Sequence, residues 1–207
     1  MANDDMIRAR GGLLPVDYPF GSFKKTYYRL TTSAAAGYYL GQPMAADANG
    51  RVVTLALANS STVCIGSIVG FLDTSYEALP SAMETTQAGA YLPANTDAYV
   101  AIADDPMQDF VCQEDTGGSA LTESNIFNNA AMIFRTSSGD TTTGYSTAEL
   151  DRSSAGTGTG GFLMIKQIHR HMNSDGTANA PGNYCKWIVR IINHQFATLT
   201  APGGNQL

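Results

Sequence analysis

The sequence predicts a mainly β protein, an antiparallel β-barrel or β-sandwich with one or two short helices and extended N- and C-terminal arms. One observation is a series of short, strand-length runs separated by Gly, Pro, Asn and Asp. A second is the period-two alternation in residues 184–193, which predicts a half-buried strand with Lys186 and Arg190 on one face. The opposite face of that run holds Cys185, Trp187, Val189 and Ile191. Antiparallel packing of short strands accounts for both patterns.

The domain organisation predicted from these patterns has three parts. Residues 1–23 form an extended arm, residues 24–194 a single β-rich domain, and residues 195–207 a C-terminal tail. The arm has two prolines and no helical or strand periodicity. Its many apolar side chains predict that it lies on its own domain, on a neighbouring subunit or on a partner, and does not extend freely into solvent.

Strand signals follow one another along the first part of the domain. Residues 24–31 read as one strand, and residues 37–47 and 50–56 read as a hairpin whose turn contains Asn49-Gly50. Further strands are predicted over residues 62–72, 91–103 and 109–113. Gly66 and Gly70 within the first of these indicate a bulge or a close approach of another backbone.

A helix is predicted after these strands, within residues 121–134. Thr122 is a candidate N-cap, Glu123 lies in the first turn, and Ile126, Ala130 and Ile133 form one stripe. The polar, glycine-rich residues 141–159 are predicted to form a loop, because they are rich in Ser, Thr and Gly. Residues 162–169 are then predicted to form a strand that neighbours residues 184–193 in one sheet.

Composition limits the classes of function. Charged residues make up 14% of the 207 residues, against roughly 25% in typical soluble chains. A surface rich in neutral small residues suits a protein packed into an assembly at least as well as a free monomer. The formal net charge of -6 argues against nucleic-acid binding, since phosphate contacts need clustered Lys and Arg.

Cysteine usage and hydropathy predict the compartment. Cys64, Cys112 and Cys185 are far apart and each lies among apolar residues, which indicates buried free thiols in a reducing environment. The first residues lack an apolar signal core, and no stretch reaches the roughly 20 apolar residues of a membrane span. We therefore expect synthesis and initial residence in a cytoplasm, with no membrane partner.

Several motifs bear on catalysis or cofactors. Gly156, Gly158 and Gly161 satisfy GxGxxG, but a strand follows them where a dinucleotide site needs a helix. Asp115-Thr116-Gly117 lacks the second such motif that an aspartic protease requires, and is interpreted as a turn. From these motifs we expect the protein to bind no cofactor.

Two clusters of polar residues leave alternatives open. A metal site can be assembled from His169, His171, Asp175 and His194, although a surface or interface pair of histidines is the preferred interpretation. An acid/base pair or a calcium site can be assembled from Asp104, Asp105, Asp109, Glu114 and Asp115, against the interpretation of a capped turn with solvated carboxylates. A small hydrolase built on these carboxylates would need one of them to have a perturbed pKa in a pocket.

Several short stretches follow one another in a recognisable order over most of the chain from about Tyr27 onward. They are Gly41-Gln42-Pro43 with Asn49-Gly50-Arg51-Val52, Ile65-Gly66 with Gly70, residues 99–106 leading into 110–114, Thr142-Thr143-Gly144 with Glu149-Leu150-Asp151 and Ser153-Ser154, residues 163–168, and Lys186-Trp187-Ile188-Val189 with Ile192-Asn193. In pattern and order the chain resembles the structural cement, or head decoration, proteins of tailed bacteriophages. Where the family more often has an Arg-Pro-Asp-type turn, this chain has His169-Arg170-His171 and a longer loop.

The resemblance implies a non-enzymatic protein on the outer surface of the virion, assembled in the host bacterial cytoplasm. Its partner would be the major capsid protein, whose neighbouring subunits it would clamp, and it would itself be a dimer or trimer without cofactor, metal or direct nucleic-acid contact. We expect the capsid contact in the arm, at Arg8, Arg10, Leu13, Leu14, Tyr18 and Phe20. The segment 141–159 is the second candidate. The alternative function is a phage appendage module that binds a host glycan or receptor, with Tyr27-Tyr28 and Tyr38-Tyr39 as its candidate aromatic residues.

Overall fold

The computed structural model describes residues 3, 11–16, 23–31, 36–57, 63–77, 91–157 and 161–196. Within them the chain forms thirteen strands and one short 3₁₀ helix, Glu123–Asn125. The mainly β class predicted from the sequence is therefore confirmed. Within the same residues, no helix is long or apolar enough to cross a membrane.

The strands form three sheets. The six-stranded sheet has the order β1 (Leu14–Pro15), β9 (Asp109–Gln113), β13 (Lys186–Ile191), β12 (Leu163–Ile168), β10 (Asn129–Gly139) and β11 (Ser146–Gly156). The five-stranded sheet has the order β2 (Thr26–Arg29), β8 (Tyr99–Ala103), β6 (Gly66–Leu72), β4 (Pro43–Ala46) and β5 (Val52–Thr54). A two-stranded sheet pairs β3 (Tyr38–Tyr39) with β7 (Tyr91–Leu92). Neighbouring strands in all three sheets are antiparallel.

Both large sheets curl until their edges come close. In the five-stranded sheet, an isolated bridge joins Leu30, just after β2, to Val52 in β5. In the six-stranded sheet, Glu114 bridges Leu150 in β11. Strand pairing does not run continuously round either sheet within the described residues, so the packing is sandwich-like and neither sheet is a closed barrel.

The described residues form two apolar cores. The larger core is lined mainly by the six-stranded sheet, with Phe110, Trp187 and Leu163 fully buried, and also includes Ala103 and Leu55 from the side of the five-stranded sheet. The smaller core lies inside the five-stranded sheet and includes Leu30 and Ile102. Burial of apolar side chains at about 25 cal/mol per Å² is the main force that holds such strands together.

The turn and bulge predictions for the five-stranded sheet are confirmed. The Asp47 carboxylate accepts hydrogen bonds from the backbone N–H groups of Asn49 and Arg51, both at 2.8 Å, and Gly50 has φ +72°. In β6 the pairing register shifts between Ile68 and Gly70. Gly66 has φ +143°, and a Cβ there would lie 2.1 Å from the Ala103 carbonyl oxygen. Only glycine permits this approach of the two backbones.

The predicted pairing of the last two strands is also confirmed, since β12 and β13 are antiparallel neighbours. Cys185, Trp187 and Val189 face the core, as their spacing predicts. The other face differs from the expectation of a half-buried strand, because Lys186 is fully buried and Ile188 nearly so. The strand is therefore covered on both faces along most of its length.

The predicted helix within residues 121–134 is wrong. Thr122 precedes only the short 3₁₀ helix, and the chain then turns at Phe127, which has φ +70°. The Phe127 N–H donates to the Ile165 carbonyl at 2.7 Å, which directs the following residues into the sheet as β10. Pairing with β11 and burial of Ala130 and Met132 outweigh the helical spacing of the stripe.

The predicted loop over residues 141–159 is also wrong, because most of it is β11. Its small polar side chains bond to the neighbouring strand instead of to water. Thr147 Oγ1 donates to the Ser137 carbonyl, and Ser146 Oγ donates to the Ser138 carbonyl at 3.0 Å. Hydroxyls satisfied in this way can be buried in a sheet at little cost.

Candidate functional site

The structure places the described part of the predicted capsid-contact arm on the protein's own domain. Leu13 is fully buried in the larger core, and its N–H donates to the Gly41 carbonyl at 2.8 Å. Leu14 and Pro15 form β1, which pairs with β9 at one edge of the six-stranded sheet. The other predicted contact residues, Arg8, Arg10, Tyr18 and Phe20, lie outside the described residues.

Asn3, at the start of the same arm, is also bound to the domain. Its Nδ2 donates to the carbonyls of Ala180 at 2.8 Å and Asn183 at 3.1 Å. Its Oδ1 accepts a hydrogen bond from the Ala180 N–H at 3.1 Å. Both described parts of the arm are therefore attached intramolecularly, and a capsid contact through the Leu13 side chain would require it to leave the core.

Asp104 and Asp109, two of the carboxylates considered for catalysis, have partners at different places in the fold. Asp104 accepts a hydrogen bond from the Tyr28 hydroxyl at 2.7 Å. Asp109 binds Lys166 Nζ at 2.6 Å and Arg190 Nε at 2.8 Å, which ties β9 to β12 and β13. These contacts give both aspartates structural roles.

Glu114 and Arg152 form a buried ion pair. Arg152 Nη1 lies 3.4 Å from Glu114 Oε1, and their side chains are 5% and 0% exposed. The indole N–H of Trp187 donates to Glu114 Oε2 at 2.8 Å. Burial raises the pKa of Glu114 to about 7, although the indole and guanidinium groups act in the opposite direction.

Asp115, the first residue of the Asp-Thr-Gly motif, belongs to the same network. One carboxylate oxygen accepts the Arg152 backbone N–H at 3.2 Å, and the other accepts the Gly117 N–H at 3.1 Å. The Arg152 guanidinium in turn donates to the carbonyls of Thr116 and Gly117. These bonds fix a bend between β9 and β11, and the side chains of Glu114, Asp115 and Arg152 are all buried.

The four residues considered for a metal site do not converge. His169 and His171 stack with ring centroids 5.9 Å apart. His194 lies at another place in the fold, where its residue bridges Cys64. The described residues contain no group of three His, Cys, Asp or Glu side chains able to hold a metal ion.

The glycine motif and the cysteines likewise have structural surroundings. Gly161 has φ +153°, and a Cβ there would fall 2.2 Å from the Ala130 carbonyl carbon. Gly161 leads into β12 and not into a helix, and Gly158 lies outside the described residues. Cys64, Cys112 and Cys185 are buried free thiols, as predicted.

An open cleft of about 460 Å³ lies beside the stacked histidines. Ile126 and Met172 line it together with Glu123, His171 and Asn179. His169 also lines the cleft, and its Nδ1 atom is buried without a hydrogen-bond partner among the described residues. Burial, together with the nearby His171 and Lys186, lowers the pKa of His169 and so favours the neutral imidazole.

A second surface feature is the outer side of the five-stranded sheet, here called the tyrosine face and defined as Tyr27, Arg29, Tyr76, Asp97 and Tyr99. Arg29 lies directly opposite Tyr99 in the β2–β8 pairing, and Tyr27 lies two residues before it on the same side. The Tyr76 ring stacks on Tyr99 at 4.2 Å between centroids. Arg29 forms two hydrogen bonds with the Asp97 carboxylate, at 3.0 and 2.7 Å.

Tyr76 is held outward by a strained turn. Its φ is +65°, a conformation that bulky residues rarely adopt. The Asp73 carboxylate stabilises the turn by accepting the N–H groups of Ser75 at 2.8 Å and Glu77 at 2.9 Å. As a result the Tyr76 side chain is 57% exposed, and Tyr27 is 43% exposed.

The sequence indicated only part of these two surfaces. Tyr27 and Tyr28 were predicted as candidate aromatic residues, and the alternation of β2 leaves Tyr27 exposed while Tyr28 packs against the smaller core. Tyr38 and Tyr39, the other candidates, are both buried. The Tyr76–Tyr99 stack depends on a turn conformation and a strand register that carry no local sequence signal.

Comparison with protein-family models, with curated proteins and with solved structures finds no match to this chain.

Proposed function

We propose that this protein is a non-enzymatic capsid decoration protein, which binds the outer surface of a phage head and clamps neighbouring major capsid subunits. The observation that carries the proposal is the tyrosine face, an aromatic surface on the five-stranded sheet whose Tyr27 and Tyr76 are exposed among the described residues. The resemblance of the sequence to the cement proteins supplies the identity of the partner.

The composition of the tyrosine face suits contact with another protein. Tyrosine and arginine are the residues most enriched at the energetic centres of interfaces, because they combine large apolar area with a polar group. Arg29 is pre-oriented by its two hydrogen bonds to Asp97, so less side-chain freedom is lost on binding. The low charge content of the chain reduces the cost of removing water from the surrounding surface.

Clamping requires a rigid body that holds its contacts at fixed separations. The attachment of Asn3 and of residues 11–16 to the domain makes the described arm part of such a body. Arg8, Arg10, Tyr18 and Phe20 remain the proposed contacts of the arm with the capsid. Repetition of one modest contact over a shell, with the protein as a dimer or trimer, gives high avidity.

Serine at both Tyr27 and Tyr76 is expected to weaken binding to undecorated cognate heads at least about tenfold, because two large interface side chains are lost. Both residues are exposed, so the variant should keep its fold, which circular dichroism checks. Binding is measured by co-sedimentation over a range of protein concentrations.

The matched control is Phe127→Ser, since Phe127 is also aromatic and is 75% exposed, but lies beside the six-stranded sheet. We expect wild-type head binding from this control. Equal binding by the double variant and the wild-type protein, or a loss confined to Phe127→Ser, would refute the tyrosine face as the contact.

A second candidate function is the appendage module that binds a host glycan or receptor. The cleft beside His169 favours it, because its lining mixes planar polar side chains with apolar ones. A glycan screen with the purified protein, in the absence of heads, tests this function, and glycan binding together with failure to bind cognate heads would favour it over capsid decoration.

A further inference from the structure

The cleft beside the stacked histidines has walls that are fixed before any ligand arrives. Asn179 is one of the lining residues, and its Nδ2 donates to the carbonyls of His169 and Lys186, both at 2.8 Å, while its Oδ1 accepts the Lys186 N–H at 3.0 Å. One wall is a tight hairpin in which Met172 pairs with Ala178. A site with such walls loses little freedom on binding.

The hairpin is held from both sides. Within it, the Asn173 N–H donates to the Thr177 carbonyl at 2.8 Å, and the Thr177 hydroxyl donates to Asp175 Oδ1 at 2.6 Å. From outside, the Asn3 side chain bonds to Ala180 on the segment that follows it. The position of Met172, which is 61% exposed at the cleft, is therefore determined by the backbone around it.

The charges and polar groups of the residues that line the cleft indicate which class of ligand it can bind. The Glu123 carboxylate offsets the charge of the Arg170 guanidinium, and His169 favours its neutral form, so the cleft has no excess positive charge for an anion. The exposed side chains of Glu123, Arg170 and His171 place hydrogen-bonding groups at the cleft, which disfavours a purely apolar ligand. A metal ion is disfavoured because the described residues contain no group of three suitable ligand side chains.

From this geometry we propose that the cleft lined by Glu123, Ile126, His169, Arg170, His171 and Met172 is a binding site for a neutral saccharide. The hydroxyl groups of a sugar bond to the Glu123 carboxylate, the Arg170 guanidinium and the His171 imidazole. The apolar C–H side of the sugar ring packs on Ile126 and Met172. The site does not rest on capsid attachment, since the tyrosine face belongs to the other large sheet.

The test uses the purified full chain and six sugars: glucose, galactose, mannose, N-acetylglucosamine, maltose and lactose. Each is titrated to about 20 mM, which covers the weak affinities usual for small polar ligands. Binding is followed by saturation-transfer NMR and by the imidazole ¹⁵N shifts. We expect at least one sugar to bind saturably and to shift the ring nitrogens of His169, while those of His194 stay unchanged as an internal control.

Variants locate the site. His171→Ala and Glu123→Gln change exposed side chains, and each is expected to weaken sugar binding at least about tenfold. Arg29→Ala, on the tyrosine face, is the matched control and should bind as wild type. Head binding by His171→Ala should equal that of the wild-type protein, which separates this site from the capsid contact.

Three results would overturn the proposal. They are no binding by any of the six sugars, unchanged binding in both cleft variants, or a shift of the His169 nitrogens with inorganic phosphate and not with a sugar. The last result would assign the cleft to an anion. Failure of head binding alone would leave these readouts unaffected, because they use no heads.

Discussion

Replacing Arg152 by methionine is expected to lower the free energy of unfolding by about 3–5 kcal/mol at pH 8.5. Methionine keeps much of the apolar volume of the side chain but removes the positive charge beside Glu114, whose side chain is fully buried. A buried carboxylate without its counter-charge is costly. Denaturant unfolding monitored by the fluorescence of Trp187 measures the loss, since the indole donates directly to Glu114.

The penalty should shrink as the pH falls. Burial raises the pKa of Glu114 to about 7 from an ordinary value of 4.5, so the folded protein binds more protons than the unfolded chain between these pH values. For this group alone, stability is therefore highest below about pH 4.5 and declines as the pH rises towards 7. Protonated Glu114 needs no counter-charge, and Arg152→Met should cost clearly less at pH 5.5 than at pH 8.5.

The matched control is the double variant Glu114→Gln with Arg152→Met, which removes both charges. We expect it to recover part of the lost stability at pH 8.5 and to lose the pH dependence of the single variant. A single variant as stable as the wild-type protein at pH 8.5 would contradict the burial of this ion pair.

Leu13→Ala is expected to lower the free energy of unfolding by about 2–5 kcal/mol, the range for truncating a fully buried leucine. Leu13 packs in the larger core, although it belongs to a segment that the sequence presents as an arm. Denaturant unfolding measures the effect. The conservative control is Leu14→Ala, at a half-buried position in β1, for which we expect a smaller loss.

This pair of variants also separates two roles of the arm. If Leu13 anchors the arm to its own domain, Leu13→Ala lowers the free energy of unfolding. The affinity of the folded variant for heads then falls only to the extent that the arm detaches from the domain. Weaker head binding by Leu13→Ala with unchanged stability would contradict its place in the core and favour direct capsid contact.

The sequence predicted the elements whose signals are local. The hairpin around Asp47 and Gly50 has a turn that its own residues specify, and the alternation around Trp187 marks a core strand directly. Gly66 and Gly70 in β6 predicted a bulge or a close approach of another backbone, and the structure has both.

The failures lie where distant parts of the chain decide the local structure. The stripe through Ile126 and Ala130 has helical spacing, but Phe127 bonds to Ile165, which is far along the chain, and the following residues join the sheet. The Ser- and Thr-rich β11 has a loop-like composition, and only the neighbouring β10 carbonyls explain how its hydroxyls are buried. Tertiary pairing outweighed local propensity in both places.

The prediction of functional residues was limited in the same way, because residues distant in sequence decide what surrounds each candidate. The His169-x-His171 pattern was considered for a metal site, whereas the structure places it beside a cleft that Met172 and Asn179 also line. The arm was predicted to lie on the domain, a neighbour or a partner, and its described residues lie on the domain. No local pattern reveals that Tyr76 stacks on Tyr99.

The most direct test of capsid decoration is the binding isotherm of the wild-type protein on expanded, undecorated heads of its cognate phage. Sedimented protein is quantified against the major capsid subunit as the added concentration rises. The proposed function predicts saturation at a fixed ratio to that subunit, with saturated heads that resist heating better than bare ones. Absence of binding to confirmed cognate heads, or binding that rises without saturation, would contradict it.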